Sequence, residues 1–310
     1  MGILFGPVFS RRLGVSLGID IVQDRHCSFD CIYCEAGKTR VKTLEPCGKA
    51  TPKDVIDVLE YYFSNHDKKF IDYLTFSGTG EPTLNPYIGE IIKRIKKKYK
   101  IPLCLLTNSS LLWDHNLIKK VAKCDLIMAS LDAISDDVFY KINRPLPGTY
   151  IEYVLIGLKK LVKITKGKVI IEIMLVKGIN DTPGELEKLS NAVKDINPHG
   201  VFLNTVDRPP VDNVTGLTKQ ELEQIREKYF AGYDYKPEKT IDINNLPEYH
   251  PNDIKFKKLV MIRGASIKEL AVMFKKNEKE TLKMVERLCD SDKRYYTTNY
   301  KGIVRLHYDP

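Results

Sequence analysis

The sequence predicts an α/β fold in which six parallel strands curve into a partial (β/α)6 barrel, followed by a small C-terminal module. Three observations predict it. Short β-rich runs alternate with amphipathic helical patterns through residues 1–236. Several runs are apolar on both sides of the alternation, as in strands covered on two faces. Residues 251–310 then change both pattern and charge, with fourteen Lys/Arg against eight Asp/Glu, +6 of the chain's net +9.

The runs occupy residues 15–22, 71–76, 103–107, 126–131, 169–176 and 201–206. Thr51-Pro52 supplies an N-cap and a first-turn proline to a helix with an apolar stripe of Val55, Val58, Leu59 and Phe63. Ile88, Ile91, Ile92 and Ile95 repeat the helical spacing, as do Leu158, Leu161 and Val162, and then Leu186, Leu189 and Val193. Active residues in such a sheet belong at the carboxyl ends of the strands. Pro237, Pro247 and Pro251 punctuate a linker over residues 237–250. Beyond it, Leu259, Val260 and Ile262 suit one helix, Ile267, Leu270, Ala271 and Phe274 a second, and Leu282, Val285 and Leu288 a third. A hairpin over 295–298 and 303–308, turning at Lys301-Gly302, completes a module that resembles a winged helix-turn-helix.

Composition narrows the setting. At 310 residues, 43% hydrophobic and 29% charged, the chain can bury a substantial core. No run approaches the length of a transmembrane span. The N-terminal MGILFGPVFSRRLG places arginines after its apolar residues and lacks the apolar core of a secretory signal. Seven cysteines, an odd number, fit a disulfide framework poorly, so a reducing cytoplasm is expected. The positive excess suits an anionic partner without identifying it.

The sharpest local feature is Cys27-Ser-Phe-Asp-Cys31-Ile-Tyr-Cys34, directly after the first run. Three soft thiolates on one short loop can converge on a soft metal centre. Structural zinc asks for four ligands, commonly in two pairs, and no partner pair follows. A thioredoxin-like pair at Cys31 and Cys34 would leave Cys27 without a role. Three unrelated buried thiols fit badly in a polar, aromatic loop, whereas iron–sulfur ligation uses tight runs of this kind.

This Cys-x3-Cys-x2-Cys run, with Tyr33 before its last cysteine, resembles the signature of the radical S-adenosylmethionine (SAM) superfamily. The resemblance implies that Cys27, Cys31 and Cys34 hold three irons of a [4Fe-4S] cluster, leaving the fourth open to the amino and carboxylate groups of SAM. It implies a radical SAM barrel, reductive cleavage of SAM, and a flavodoxin or ferredoxin-type electron donor. Thr75-Phe-Ser-Gly78-Thr79-Gly80-Glu81-Pro resembles the family's glycine–glutamate motif, in which backbone groups accept from the SAM ammonium; alone, it reads as an ordinary strand-to-loop turn. Asn108 after the third run, Ser130 and Asp132 after the fourth, and Asn180 after the fifth fall where related enzymes contact SAM. Asp132 could instead serve an Asx turn, and Asn180 with Asp181 could cap the next helix.

A narrower likeness rests on Phe5-Gly-Pro-Val-Phe-Ser-Arg-Arg-Leu-Gly14, Ile142-Asn-Arg-Pro145 and Leu203-Asn-Thr-Val-Asp-Arg-Pro-Pro210, which are similar to the tRNA wyosine-synthase group of Fe–S oxidoreductases. Those enzymes carry an additional cysteine set upstream of the SAM motif. No cysteine precedes Cys27 here, so the resemblance does not bring the tRNA-base reaction with it. Of the scattered cysteines, Cys104, Cys124 and Cys289 read as buried thiols, and Cys47, between Pro46 and Gly48, is the spare to test as a ligand.

Arg11, Arg12, Arg144 and Arg208 are candidates for gripping a substrate phosphate or carboxylate, each with an ion-pair alternative. His26 and His199 read as loop histidines. In the tail, Lys279, Lys283 and Arg287 share one helix face, with Arg294 and Lys301 on the hairpin; the module suits RNA, a protein or peptide substrate, or dimerisation. A non-enzymatic alternative is an Fe–S redox-sensing DNA-binding regulator, which would need no Gly78–Glu81 turn.

Overall fold

A computed structural model describes residues 2–233, 235 and 248–309, so residues 237–247 of the expected linker lie outside the described residues. The chain opens with an antiparallel pair, β1 (Leu4–Ser10) and β2 (Gly14–Ile19), followed by a short ribbon of β3 (His26–Cys27) and β4 (Val41–Lys42). Helices and strands then alternate: α1 (Pro52–Asn65), β5 (Tyr73–Phe76), α2 (Ile88–Lys98), β6 (Leu103–Thr107), α3 (His115–Val121) and β7 (Leu126–Ser130). After α4 (Asp136–Asn143) and α5 (Ile151–Ile164) come β8 (Lys168–Leu175), α6 (Pro183–Ile196), β9 (Gly200–Thr205) and α7 (Lys219–Tyr229).

The sheet order is β1-β2-β5-β6-β7-β8-β9, parallel from β2 onward. The six expected strands are β2 and β5–β9, and the curled sheet is a half-barrel. β1 is an additional strand, antiparallel on the edge. Gly6-Pro7 breaks its alternation, which is why the sequence does not read as a strand there.

The helices form for the reasons their sequences give. Thr51 and Asp54 make a reciprocal capping box at the start of α1, with Pro52 in its first turn. Ile88, Ile91, Ile92 and Ile95 are all buried beneath α2, as are Leu186, Leu189 and Val193 beneath α6. The inside of the half-barrel combines an apolar cluster of Cys104, Leu126, Met128 and Ile170 with polar pairs. Ser16 and Thr75 share a hydrogen bond at 2.6 Å, and Arg12, in the β1–β2 turn, points one guanidinium nitrogen, Nη1, at both carboxylate oxygens of Glu172 of β8 at 2.5 Å. Arg11 reaches Asp207 at 2.8 Å and Asn204 of β9 at 3.3 Å. These pairs span the open side, tying the first hairpin to the last strands.

The C-terminal unit contains α8 (Ile254–Arg263), β10 (Ala265–Ser266), α9 (Ile267–Met273), α10 (Glu278–Ser291), β11 (Tyr295–Tyr300) and β12 (Ile303–Tyr308), with an antiparallel sheet ordered β10-β12-β11. Its apolar core of Phe256, Leu259, Leu270, Phe274 and Leu306 also takes in Phe5 of β1. Tyr249 donates to the Pro7 carbonyl at 2.9 Å, Tyr300 to that of Val214 at 3.2 Å, and Lys301 to that of Val206 at 3.2 Å. The hairpin tip is therefore seated on the half-barrel. Lys301, expected beside Arg294 on a free wing, is spent on that contact, and Arg294 pairs with Asp292.

Candidate functional site

A cavity of about 340 Å³ opens at the carboxyl ends of the strands. Its lining comes from four directions: Tyr33 and Cys34 of the cysteine loop, Gly78, Gly80 and Glu81 after β5, Asn108 and Ser130 after β6 and β7, and arginines from the first hairpin, the loop after β9 and α8.

The three cysteines share one loop and form no disulfide. Asn108 donates its amide to Cys27 Sγ at 3.4 Å, and Asn143, the last residue of α4, donates to Cys31 Sγ at 3.4 Å. Burial pushes all three thiols up, Cys27 to about 12, Cys34 to about 11 and Cys31 well above the usual range, with neighbouring Glu81, Glu35 and Asp132 adding to the effect. Thiols in such surroundings become thiolates when a cation compensates them, so the donor set suits an iron–sulfur cluster. Among the described residues no trio of His, Cys, Asp or Glu is drawn together around a single ion. Cysteines that each bind a different iron of a cluster are spaced more widely than ligands of one ion.

Beneath the loop, Tyr33 donates to Asp132, which also accepts from Asn143 at 2.7 Å and from the Met174 N–H at 2.8 Å. Burial raises the Asp132 carboxyl to about 6 despite those donors. Asp132 thus reaches the cluster loop through Tyr33 and Asn143. Asn180, fully buried, accepts from the Val176 N–H at 2.7 Å and donates to the carbonyls of Asp132 and Met174, both at 2.8 Å. Its amide fastens the ends of β7 and β8 and does not line the cavity.

The glycine–glutamate stretch explains its own composition. A Cβ on Gly80 would stand 2.1 Å from the His26 carbonyl oxygen, which accepts the Glu81 N–H at 3.0 Å. Gly78 has φ +149° and sits so close to Asp20 that a Cβ would overlap its carboxylate. Thr79 lies outside the lining, donating through both N–H (3.3 Å) and hydroxyl (3.0 Å) to Asp20. Glu81 accepts from Thr83, from the Thr107 hydroxyl at 2.7 Å and from the Asn108 N–H at 2.8 Å, yet burial still raises its carboxyl.

Each of the four arginines proposed from the sequence to grip substrate has an acidic partner. Arg11 and Arg12 are placed as above, Arg144 pairs with Asp212, and Arg208 pairs with Glu35 at 2.5 Å and Glu269 at 3.7 Å. Arg11, Arg12 and Arg208 line the cavity and Arg144 does not. His199 accepts the Val169 N–H, and Cys47 is a partly exposed loop thiol whose N–H donates to the Leu84 carbonyl. The sequence reading missed Asp20, Asn143, Lys258 and Arg263. Asn143 lies inside the Ile142–Pro145 motif, and Asp20 is the lone charge inside the apolar run 15–22, a signal that could have found it.

The sequence pattern of the Radical SAM superfamily matches residues 24–189, which hold the cysteine loop, the glycine–glutamate stretch and Asp132. The chain belongs to the radical SAM superfamily. As a radical SAM protein it is an enzyme whose cofactors are a [4Fe-4S] cluster and SAM. It is 35% identical to the UPF0026 protein MJ1312 of Methanocaldococcus jannaschii over 72% of this chain and 69% of that one. It is 30% identical to a protein of Brachyspira hyodysenteriae named GTPase Obg over 94% of this chain, a span that must include most of the C-terminal unit, but only 43% of that protein. The chain thus spans less than half of that second relative. A crystal structure of SuiB from Streptococcus suis superposes with a TM-score of 0.54 at 15% identity, covering 80% of this chain and 55% of that one, a likeness of fold alone. Among the described residues no helix is long and apolar enough to cross a membrane.

Proposed function

We propose that this radical SAM enzyme acts on a nucleotide-containing substrate, RNA foremost, admitted between the half-barrel and the C-terminal unit. Cys27, Cys31 and Cys34 would hold a [4Fe-4S] cluster, which when bound and reduced would supply the electron for reductive cleavage of SAM to methionine and a hydrogen-abstracting 5′-deoxyadenosyl radical. The chain's own residues prepare that step. Asn108 and Asn143 aim amide N–H groups at two of the three sulfurs, and Tyr33, fixed by Asp132, holds the loop against the barrel. Gly78 and Gly80 put backbone in the cavity lining while leaving room behind for Asp20 and the His26 carbonyl, and Ser130 and Asn108 are polar wall groups suited to SAM. The C-terminal unit covers the site and limits water.

The observation that carries the substrate class is the presence of Arg11, Arg12, Arg208 and Arg263 in the lining of the cavity that holds Cys34. The C-terminal helix–strand–helix–helix–hairpin order supports a winged helix, and Lys279, Lys283 and Arg287 are exposed on α10, suited to phosphates. A flavodoxin or ferredoxin-type protein is the donor that suits a low-potential cluster. The test is anaerobic reconstitution with SAM, reductant and RNA pools, reading 5′-deoxyadenosine. Wild type is expected to form it, faster with the substrate pool, and Cys31→Ala is expected to form none. Undiminished product from Cys31→Ala would refute the chemistry; rates indifferent to every RNA and nucleotide pool would refute the substrate class.

A further inference from the structure

Three arginines from separate elements meet at the seam between the half-barrel and the C-terminal unit: Arg208 after β9, Arg263 ending α8, and Arg305 of β12. Two carboxylates face them. Glu35, one residue beyond Cys34, takes Arg208 at 2.5 Å; Glu269 takes Arg263 and Arg305 at 3.3 Å each and Arg208 at 3.7 Å. Nearby Asp207 is paired with Arg11, although one of its carboxylate oxygens has no hydrogen bond. One guanidinium charge is therefore left over. The donors are short of acceptors too: among the described residues Arg208 Nε, Arg263 Nε, Arg263 Nη2 and Arg305 Nε are buried without a hydrogen-bond partner. Arg263 is 9% exposed, and burial together with repulsion from Arg208 lowers it to about 10. Arg208 and Arg263 both line the cavity that holds Cys34 and Glu81.

Buried guanidinium groups with idle donors and surplus charge are costly unless something anionic completes them. An oxoanion with several acceptor oxygens answers both needs, because each guanidinium edge presents a fork of N–H donors. We propose that Arg208 and Arg263, backed by Arg305, form the receptor for a phosphoryl group of the substrate, so that the C-terminal unit supplies part of the active-site wall. This inference rests on the reading that substrate enters this cavity. It adds the group recognised and the residues that recognise it.

The experiment is equilibrium binding of inorganic phosphate to the full chain by titration calorimetry, with AMP, acetate and SAM as competitors. Wild type is expected to bind phosphate saturably, with AMP competing and acetate failing to compete. Arg263→Met and Arg208→Met are expected to weaken binding by roughly tenfold or more, as loss of a charged hydrogen bond implies, while Lys97→Ala, at the opposite end of the sheet, is expected to leave it unchanged. Should the methionine variants fail to fold, Arg263→Lys keeps the charge, loses the fork, and is expected to weaken binding severalfold. Equal binding by wild type and the arginine variants, displacement of phosphate by acetate, or its displacement by SAM would each overturn the proposal, the last because the site would then belong to the cofactor. Formation of 5′-deoxyadenosine is scored separately. Product without Arg263-dependent phosphate binding sinks this inference alone, and phosphate binding without product sinks only the proposed chemistry.

Discussion

Lys258 of α8 and Asp20, which follows β2, form an ion pair at 3.1 Å with side chains 3% and 2% exposed. The two removals should differ. Asp20 also accepts from Gln23 N–H at 2.9 Å and from Thr79, so Lys258→Met leaves a carboxylate that keeps three donors. Among the described residues Lys258 has, besides Asp20, only the Gly2 carbonyl as an acceptor, so Asp20→Asn leaves an ammonium whose burial already pulls its pKa down. Breaking one side of a buried pair costs about 3–5 kcal/mol, with Lys258→Met at the lower end and Asp20→Asn at the upper. In a chain of this size the loss in Tm is roughly 5–8 °C. The double variant, with neither charge, should recover at least half of the Asp20→Asn loss. Urea and thermal unfolding of the four proteins measure the coupling. Because Asp20 holds Thr79 beside Gly78, Asp20→Asn should also weaken SAM binding more than Lys258→Met does. Additivity of the single variants to within about 0.5 kcal/mol would refute the reasoning.

Burial would raise the Glu269 carboxyl, but Arg263 and Arg208 hold it at about 2. Its folded-state pKa lies below the unfolded value, so its contribution of about 2–3 kcal/mol is present above pH 4.5 and lost as pH falls toward 2; Glu269→Gln should lack that acid-sensitive part in urea midpoints taken across the window. Gly80→Ala should cost about 1–3 kcal/mol through its clash with the His26 carbonyl and should lower retained iron, since His26 precedes Cys27; wild-type Tm and iron content would contradict this. Asn180→Ala orphans buried backbone groups at the ends of β7 and β8 and should cost about 3 kcal/mol or more in urea unfolding. If stability is kept while SAM binding is lost, Asn180 is a cofactor ligand instead of a fastening.

The six parallel strands were legible because strands covered on both faces leave apolar runs that no solvent-facing strand would tolerate. The cysteine trio was legible because its spacing is local. The residues that fix the surrounding geometry were hidden by separation along the chain. Lys258 stands beside Lys255 and Lys257 and reads as part of a solvated basic run, yet its partner lies more than 200 residues earlier. Glu35 and Arg263 are likewise ordinary charges until the seam brings them together. Arg144 drew attention within its motif, whereas the side chain that reaches a cluster sulfur is its neighbour Asn143.

Phe5 lies in the hydrophobic interior of the C-terminal unit, and Lys258 grasps the carbonyl of Gly2. The β1 segment thus finds its final apolar surroundings among residues more than 240 positions further along the chain. β1 can zip onto β2 and lay the Phe5 ring over Gly18, but the rest of that ring is covered only once the C-terminal unit is in place. The packing of β1 is thereby coupled to the folding of the C-terminal unit.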